Sequence, residues 1–285
     1  MFRPKKSKKK HGLLIMLIKV FVLLFASAVT LPSSSAAQAP PFIIAGTSEP
    51  PFKMKTDFGI EGIDVSIVSH IMKQLDIDYD IQLIESGARI IREAELGRID
   101  MVMSFSFKPS RTDYLIYPQQ SYKKVSWHFF VHKDKYSNYQ FERLSDLHGA
   151  DIGAVNEWAY TPEFWNSGLT IMPVSKHTLL ITMLLRSRVD LAPMNTLETL
   201  YDLKRRGLQD QIAYLPKPLI ERPYFNVIVK HSNHPMKNRV IKEYDRLVKR
   251  LIEQGYIHQV YETYLGGGDW NGLMNSAQPD SLSGE

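Results

Sequence analysis

Hydrophobic positions along this chain follow two alternating rhythms. "FIIAGT" (residues 42–47) is a short apolar run closed by Gly46 and the turn-forming "SEPPF". In "GIDVSIVSHIMKQL", Ile67, Val68, Ile71, Met72 and Leu75 recur at helical spacing and mark one buried stripe. The alternation then continues. "YDIQLI" predicts a strand, "ARIIREAELGR" a helix and "IDMVMSF" a strand buried on both faces. "SWHFFVHKD" and "ADIGAV" predict further strands, and "TLLITMLLRSR" a helix leading into the strand "VDLAPM". "NTLETLYDLKRRG" predicts a helix with Asn195 and Glu198 at capping-box spacing and Gly207 as its stop. After a strand at "YFNVIVKH", the last long helix carries Val240, Ile241, Tyr244, Leu247, Val248, Leu251 and Ile252 on one face. Strands alternating with helices in this way predict an α/β fold with largely parallel sheets. Beyond Leu265, "GGGDWNGLMNSAQPDSLSGE" is rich in Gly, Ser and polar residues, and residues 269–285 are expected to form a flexible tail.

The N-terminus departs from both rhythms. Arg3, Lys5, Lys6, Lys8, Lys9 and Lys10 precede "LLIMLIKVFVLLFASAV" and then "SSSAAQA", the layout of a secretory signal peptide over residues 1–37. Lys19 breaks the apolar run into pieces shorter than the roughly 20 residues a membrane span needs. Ser35 and Ala37 set the expected cleavage after Ala37, and no cysteine follows for lipid attachment.

That segment changes the meaning of the charge. The whole chain holds 35 Lys+Arg against 30 Asp+Glu, but seven of the basic residues and none of the acidic ones lie in residues 1–37. The remainder carries 28 against 30, a formal charge of −2, and no basic excess with which to hold nucleic acid. Zero cysteines exclude a disulfide framework, so stability has to come from core burial. Neither His128 with His132 nor His231 with His234 has Cys or acidic companions at metal-binding spacing. A nucleophilic triad motif, a P-loop and a dinucleotide-binding loop are all missing, and no cofactor is expected.

The ordered set of motifs resembles the bacterial extracellular solute-binding proteins, family 3, of the polar amino-acid type. "EPPF" is similar to the turn after the family's first strand, and "EGIDVSIVSHIMKQL" to its first helix with the preceding glycine and aspartate. "LGRIDMVMS", "LSDLHGADIGAV", "RSRVDLAPMN" and "IEQGYIHQVYETYLG" follow in the family's order, so the likeness runs over about residues 40–266. It implies an α/β, two-lobe periplasmic binding protein fold (type II), in which two strand crossovers form a hinge. Lobe 1 would comprise residues 40–123 and 226–268, and lobe 2 residues 124–225. It also implies a monomer in the periplasm that captures a small molecule for an inner-membrane ABC transporter permease, with presentation to a sensor as the alternative. Enzymes such as the cyclohexadienyl dehydratases share the scaffold, and a lyase is the less favoured reading.

The resemblance assigns site residues too. Arg111 falls where the family's arginine binds a ligand carboxylate, a task suited to the rigid donor fork of a guanidinium. Ser104 and Ser106 lie where first-lobe hydroxyl and main-chain groups meet the ligand, and Phe52 offers either an aromatic wall or core. Three departures set this chain apart. Asn195 stands where the amino-acid binders place an aspartate for the ligand ammonium. Glu157 and Trp158 replace small residues of the second lobe, and Glu49 replaces an aromatic. These substitutions suggest a ligand whose cationic group meets Glu49 or Glu157 while its carboxylate meets Arg111.

Overall fold

The computed structural model describes Phe2, residues 39–156 and residues 160–266. The signal-peptide and tail expectations, and the assignments to Glu157 and Trp158, lie outside the described residues. The described residues from 40 to 266 form one compact unit.

Its elements are β1 (Phe42–Gly46), a hairpin of β2 (Met54–Thr56) and β3 (Gly59–Glu61), α1 (Ile63–Gln74), β4 (Tyr79–Leu83), α2 (Gly87–Glu95) and β5 (Met101–Ser106). A single 3-10 turn at Pro109–Arg111 leads to β6 (Leu115–Ile116) and β7 (Lys123–His132). Then come β8 (Asp151–Val155), α3 (Pro162–Trp165), β9 (Thr170–Val174), α4 (Thr178–Leu185), β10 (Leu191–Asn195), α5 (Thr196–Arg205), β11 (Ile212–Val229), α6 (Lys237–Glu253) and α7 (Tyr256–Leu265).

One curled sheet runs in the order β4-β1-β5-β11-β7-β10-β8-β9, with β6 on β11. Strands at its two ends pair in parallel, β1 with β4 and β5, and β8 with β9 and β10. The middle is antiparallel, since β11 runs against both β5 and β7, and β10 runs against β7. The expectation of largely parallel sheets therefore holds only for the flanks. The cause is β11, which returns along β7 for most of its length.

Both faces of the sheet are covered, which is why the strands carry continuous apolar runs rather than alternating ones. Consecutive side chains point to opposite faces. Thus Ile44 and Met101 enter a cluster with α1 and α6, through Ile67, Ile71, Tyr244 and Leu247, while Ala45 and Val102 enter another with Ile90 and Ala94 of α2. Toward the other end Phe129 packs with Ile152 and Phe164, whereas Phe130 packs with Leu180, Leu184 and Leu203. The helical stripe expected in residues 62–75 is buried throughout, and so is that of α6 apart from Ile241 and Ile252, which are half-buried. Gly255, at φ 73°, separates α6 from α7.

The two halves also touch away from the shared strands. Leu197 of α5 joins the cluster built on α1 and α6. Lys204 Nζ donates to the Leu265 carbonyl at 2.7 Å, and Tyr201 lies against Met54. These contacts leave a cleft between α5 and the β1–β2 connection.

Candidate ligand-binding site

The floor of the cleft is a buried ionic cluster that begins at two glycines. Gly62, at φ 138°, brings α1 so close to the preceding loop that a Cβ would lie 2.2 Å from the Phe52 carbonyl oxygen. Only glycine fits there. The close approach lets the Ile63 and Asp64 amides donate to the Pro51 and Phe52 carbonyls, which satisfies two orphan donors of the helix and aims Asp64 inward. At the end of β1, a Cβ on Gly46 would meet Lys53 Cδ at 2.9 Å, so that glycine makes room for the lysine stem.

Asp64 therefore becomes an acceptor for four groups. Lys53 Nζ and Lys123 Nζ each lie 3.1 Å from Oδ2, Tyr122 donates to Oδ1 at 3.1 Å, and the Ser104 hydroxyl donates to Oδ2. Glu49 completes the cluster, 2.5 Å from Lys53 Nζ and 3.4 Å from Lys123 Nζ. Two cations thus meet two carboxylates where Lys53 and Lys123 are each only 1% exposed. Burial opposes ionisation of Glu49 and Asp64, but the two ammonium groups outweigh it and hold both carboxyls below their usual range. Burial likewise disfavours the Lys53 ammonium, and Glu49 and Asp64 reverse that, raising its pKa.

Ser104 pays for its place in backbone strain, with φ at 55°. The pairing of β5 with β11 shifts register between Phe225 and Val227, and Asn226 in that irregularity accepts the Ser104 amide at 3.0 Å. Asn226 also donates to the Tyr122 and Tyr244 hydroxyls at 3.0 and 2.9 Å, locking the cluster to α6.

Two cavities open above this floor. The larger, about 490 Å³, lies between the halves, with Ser48 and Glu49 on one side, Asn195 and Glu198 of α5 on the other, and Trp127 and Tyr224 from the shared strands. The smaller, about 230 Å³, is lined by Ser104, Ser106 and Arg111. Thr47, Glu49 and Tyr224 border both, so the two spaces adjoin.

The structure brings most of the expected residues together here. Arg111, at the end of its 3-10 turn, donates to the Ser106 carbonyl at 2.9 Å and to the Ser106 hydroxyl at 3.1 Å, and its guanidinium carbon sits 4.1 Å from the Phe105 ring centre. Asn195 is buried and caps α5 by accepting the Glu198 amide at 3.2 Å. Phe52 lies elsewhere. It is 1% exposed, packs edge-on against Tyr261 and carries the Lys123 ammonium 3.4 Å above its ring, so it is core and lines neither cavity. Glu49, read from sequence as a charge awaiting a ligand cation, is already paired with two lysines.

Sequence reasoning missed Lys53, Asp64, Lys123 and Glu198. The Glu198 side chain does not return to the Asn195 amide as a capping box requires but faces the cavity and Glu49. Burial and the negative charge of Glu49 raise its pKa well above the usual carboxyl range, with Lys123 and Lys53 only partly opposing. Among the described residues no group of three or more His, Asp or Glu side chains is arranged to hold a metal ion.

A family model for the bacterial extracellular solute-binding proteins, family 3, matches residues 43–267. The chain belongs to that family. No curated protein sequence matches it as a relative. Among solved structures it is similar to substrate-binding domain 2 of Lactococcus lactis GlnP in an open conformation, at 20% identity and a TM-score of 0.62, covering 81% of this chain and 99% of that one. It is similar to the arginine-, lysine-, histidine-binding protein ArtJ of Geobacillus stearothermophilus, at 18% identity and a TM-score of 0.58, covering 83% and 100%. A histidine kinase sensor domain with similarity to periplasmic binding proteins also matches, at 13% identity and a TM-score of 0.62, covering 80% and 97%. At these identities the likeness bears on the fold, which is the two-lobe α/β fold of the periplasmic binding proteins.

Proposed function

We propose that this family 3 protein captures a small polar, carboxylate-bearing ligand, an amino acid or a related compound, in the cleft between two lobes. The observation that carries this reading is the placement of Arg111 in a chamber adjoining the larger cavity. Its guanidinium already engages Ser106 oxygens, so the fork is oriented before a carboxylate arrives. The lobes are residues 40–123 with 226–268, and 124–225. Supporting this division, two core clusters draw mainly on residues 42–122 and 225–265 and two on residues 127–219, and Lys123–Ser126 of β7 pair with Glu221–Tyr224 of β11 at the boundary. Two crossing strands make a hinge, and a ligand touching both lobes favours closure.

The protein acts in the periplasm and delivers its ligand to an inner-membrane ABC transporter. The substrate-binding domain of GlnP and the binding protein ArtJ support that role, while the sensor-domain neighbour supports presentation to a membrane sensor. The test is a thermal-shift screen of the protein lacking residues 1–37 against amino acids, polyamines and organic acids, followed by calorimetry. A ligand at 100 times its Kd stabilises the fold by about 2.7 kcal/mol. Binding that is saturable, depends on Arg111 and returns the ligand chemically intact supports the reading; product in excess over protein would instead make the chain an enzyme.

A further inference from the structure

Asn195 puts no charge at the start of α5, whereas Glu198 of the same helix brings a carboxyl to the cavity. Asn195 is neutral, and its side-chain oxygen is committed to the Glu198 amide at 3.2 Å. Glu198 lies three residues further, on the same face of the helix and about 4.5 Å along its axis. Its carboxyl lines the cavity and is hydrogen-bonded to the Glu49 carboxyl. The two acids are not equivalent. Glu49 is compensated by Lys53 and Lys123, whereas the Glu198 carboxyl has no ion-pair partner among the described residues. Trp127 and Tyr224 wall the same space, and aromatic faces of this kind favour a cation.

We infer that Glu198, rather than Asn195, is the residue that holds the cationic group of the ligand, which sits between Glu198 and Glu49 while the ligand carboxylate lies at Arg111. This inference rests on the cleft being the ligand site. Its chemical content is an exchange. Without ligand, burial and repulsion from Glu49 favour a proton on Glu198, through which the two carboxyls meet. An ammonium or guanidinium entering between them takes over the role of that proton, which leaves Glu198 for solvent. The titratable and charged groups surrounding Glu198 are Glu49 and Lys53 from the β1–β2 connection, Lys123 from β7 and Tyr224 from β11. His177 lies at the start of α4, and Tyr201, Asp202 and Arg205 lie further along α5; Asp202 is paired with Arg206, and Arg205 lies over Tyr201. Among the described residues none of these lysines and arginines forms an ion pair with Glu198, and Lys123 and Lys53 act on it only through space.

The test uses matched probes on wild type, Glu198→Gln and Glu198→Asp. L-arginine, L-lysine and 4-aminobutyrate carry both charges; succinate and pentanoate carry no cation; putrescine carries no carboxylate. The aminated acids are expected to bind wild type best and to lose roughly ten- to hundredfold in affinity in Glu198→Gln, the scale of a lost hydrogen bond to a charged group. Calorimetry in phosphate and in Tris at one pH is expected to give different heats for wild type, reporting proton release, and equal heats for Glu198→Gln. Glu198→Asp, which keeps the charge on a shorter stem, is expected to retain proton release. Arg111-dependent binding left unchanged by Glu198→Gln, or nitrogen-free acids binding as well as aminated ones, would overturn this inference alone. Failure of every probe to bind would overturn both this inference and the binding function itself.

Discussion

Lys53 Nζ stands 3.1 Å from Asp64 Oδ2 inside the protein, with exposures of 1% and 0% for the two side chains. Charges so buried are tolerated only when every partner is in place. Asp64 also accepts from Lys123, Tyr122 and Ser104, so it is the hub on which both lysines depend. Changing Asp64 to Asn leaves two ammonium groups facing one carboxylate. The expected loss is roughly 3 to 5 kcal/mol, which lowers Tm by roughly 10 °C for a domain of this size. Thermal unfolding of Asp64→Asn without ligand checks it, and a Tm within about 2 °C of wild type would mean that the lysines find another counter-charge.

Glu198 makes the opposite prediction for stability. Its pKa in the fold is raised above the value of about 4.3 for an unstructured glutamate. Between those two values the folded state holds a proton that the unfolded state has released, so stability declines as pH rises from about 4.3 toward the raised value. Glutamine copies the neutral acid and does not titrate. Glu198→Gln is therefore expected to melt at or above the wild-type temperature without ligand, with the advantage widening as pH rises above about 5 toward the raised value. Glu49 behaves in the reverse sense. Its pKa is depressed, so its contribution is present above about pH 4.3 and is lost on further acidification, in wild type and Glu198→Gln alike. Melting curves across pH 3 to 8 for the two proteins separate these effects.

Much of the fold was legible because periodicity reports burial. The stripes in α1 and α6 and the short apolar runs within β1, β5 and β7 needed no tertiary information. The first half of β11 was hidden for a physical reason. The stretch before Tyr224 receives no element, since Pro216, Pro218 and Pro223, with Lys217, Glu221 and Arg222, break any apolar rhythm. In the structure Ile212–Pro223 pairs on one side only, with β7, so its other edge has no ladder bonds for proline to interrupt. The charged floor of the site was hidden too. A lysine in isolation is an expected surface residue, and nothing local brings Lys53, Asp64 and Lys123 together across three separate segments. Glu198 did carry a signal, but its spacing from Asn195 fits a helix cap equally well, and only the cavity distinguishes the two roles.

Motion is the third expectation. The strands β7 and β11 pair continuously from Lys123 with Tyr224 to Ser126 with Glu221, and Ser121 Oγ donates to the Tyr224 carbonyl at 2.6 Å beside them. Bending concentrated in this short double strand is expected to move α5 relative to the β1–β2 connection and so to widen or close the larger cavity. A ligand that bonds both sides is expected to shift the population toward the closed form. Small-angle scattering at ligand saturation should show a smaller radius of gyration than without ligand, and identical curves would remove the hinge from the mechanism.

Arg111 provides the sharpest test of the binding function. Without ligand it holds Ser106 and stacks on Phe105, contacts worth about 1 to 2 kcal/mol together in a half-exposed setting. In the proposed complex it faces a ligand carboxylate, and losing that pair is expected to cost roughly 2 to 5 kcal/mol, because the carboxylate is left without its counter-charge. Lysine does not restore it. An ammonium is a point charge on a flexible stem and cannot form two parallel bonds while stacking flat on Phe105. Arg111→Ala and Arg111→Lys are therefore both expected to bind at least 30-fold more weakly, on the order that 2 kcal/mol implies, while their unliganded Tm falls by only a few degrees. Calorimetric titration with a ligand from the thermal-shift screen, run beside melting curves of the unliganded proteins, gives both numbers. Near wild-type affinity in Arg111→Ala would remove the carboxylate from this position. A collapse of the unliganded Tm, with binding lost only in proportion, would make Arg111 a support of the Ser104–Ser106 strand end rather than a ligand contact.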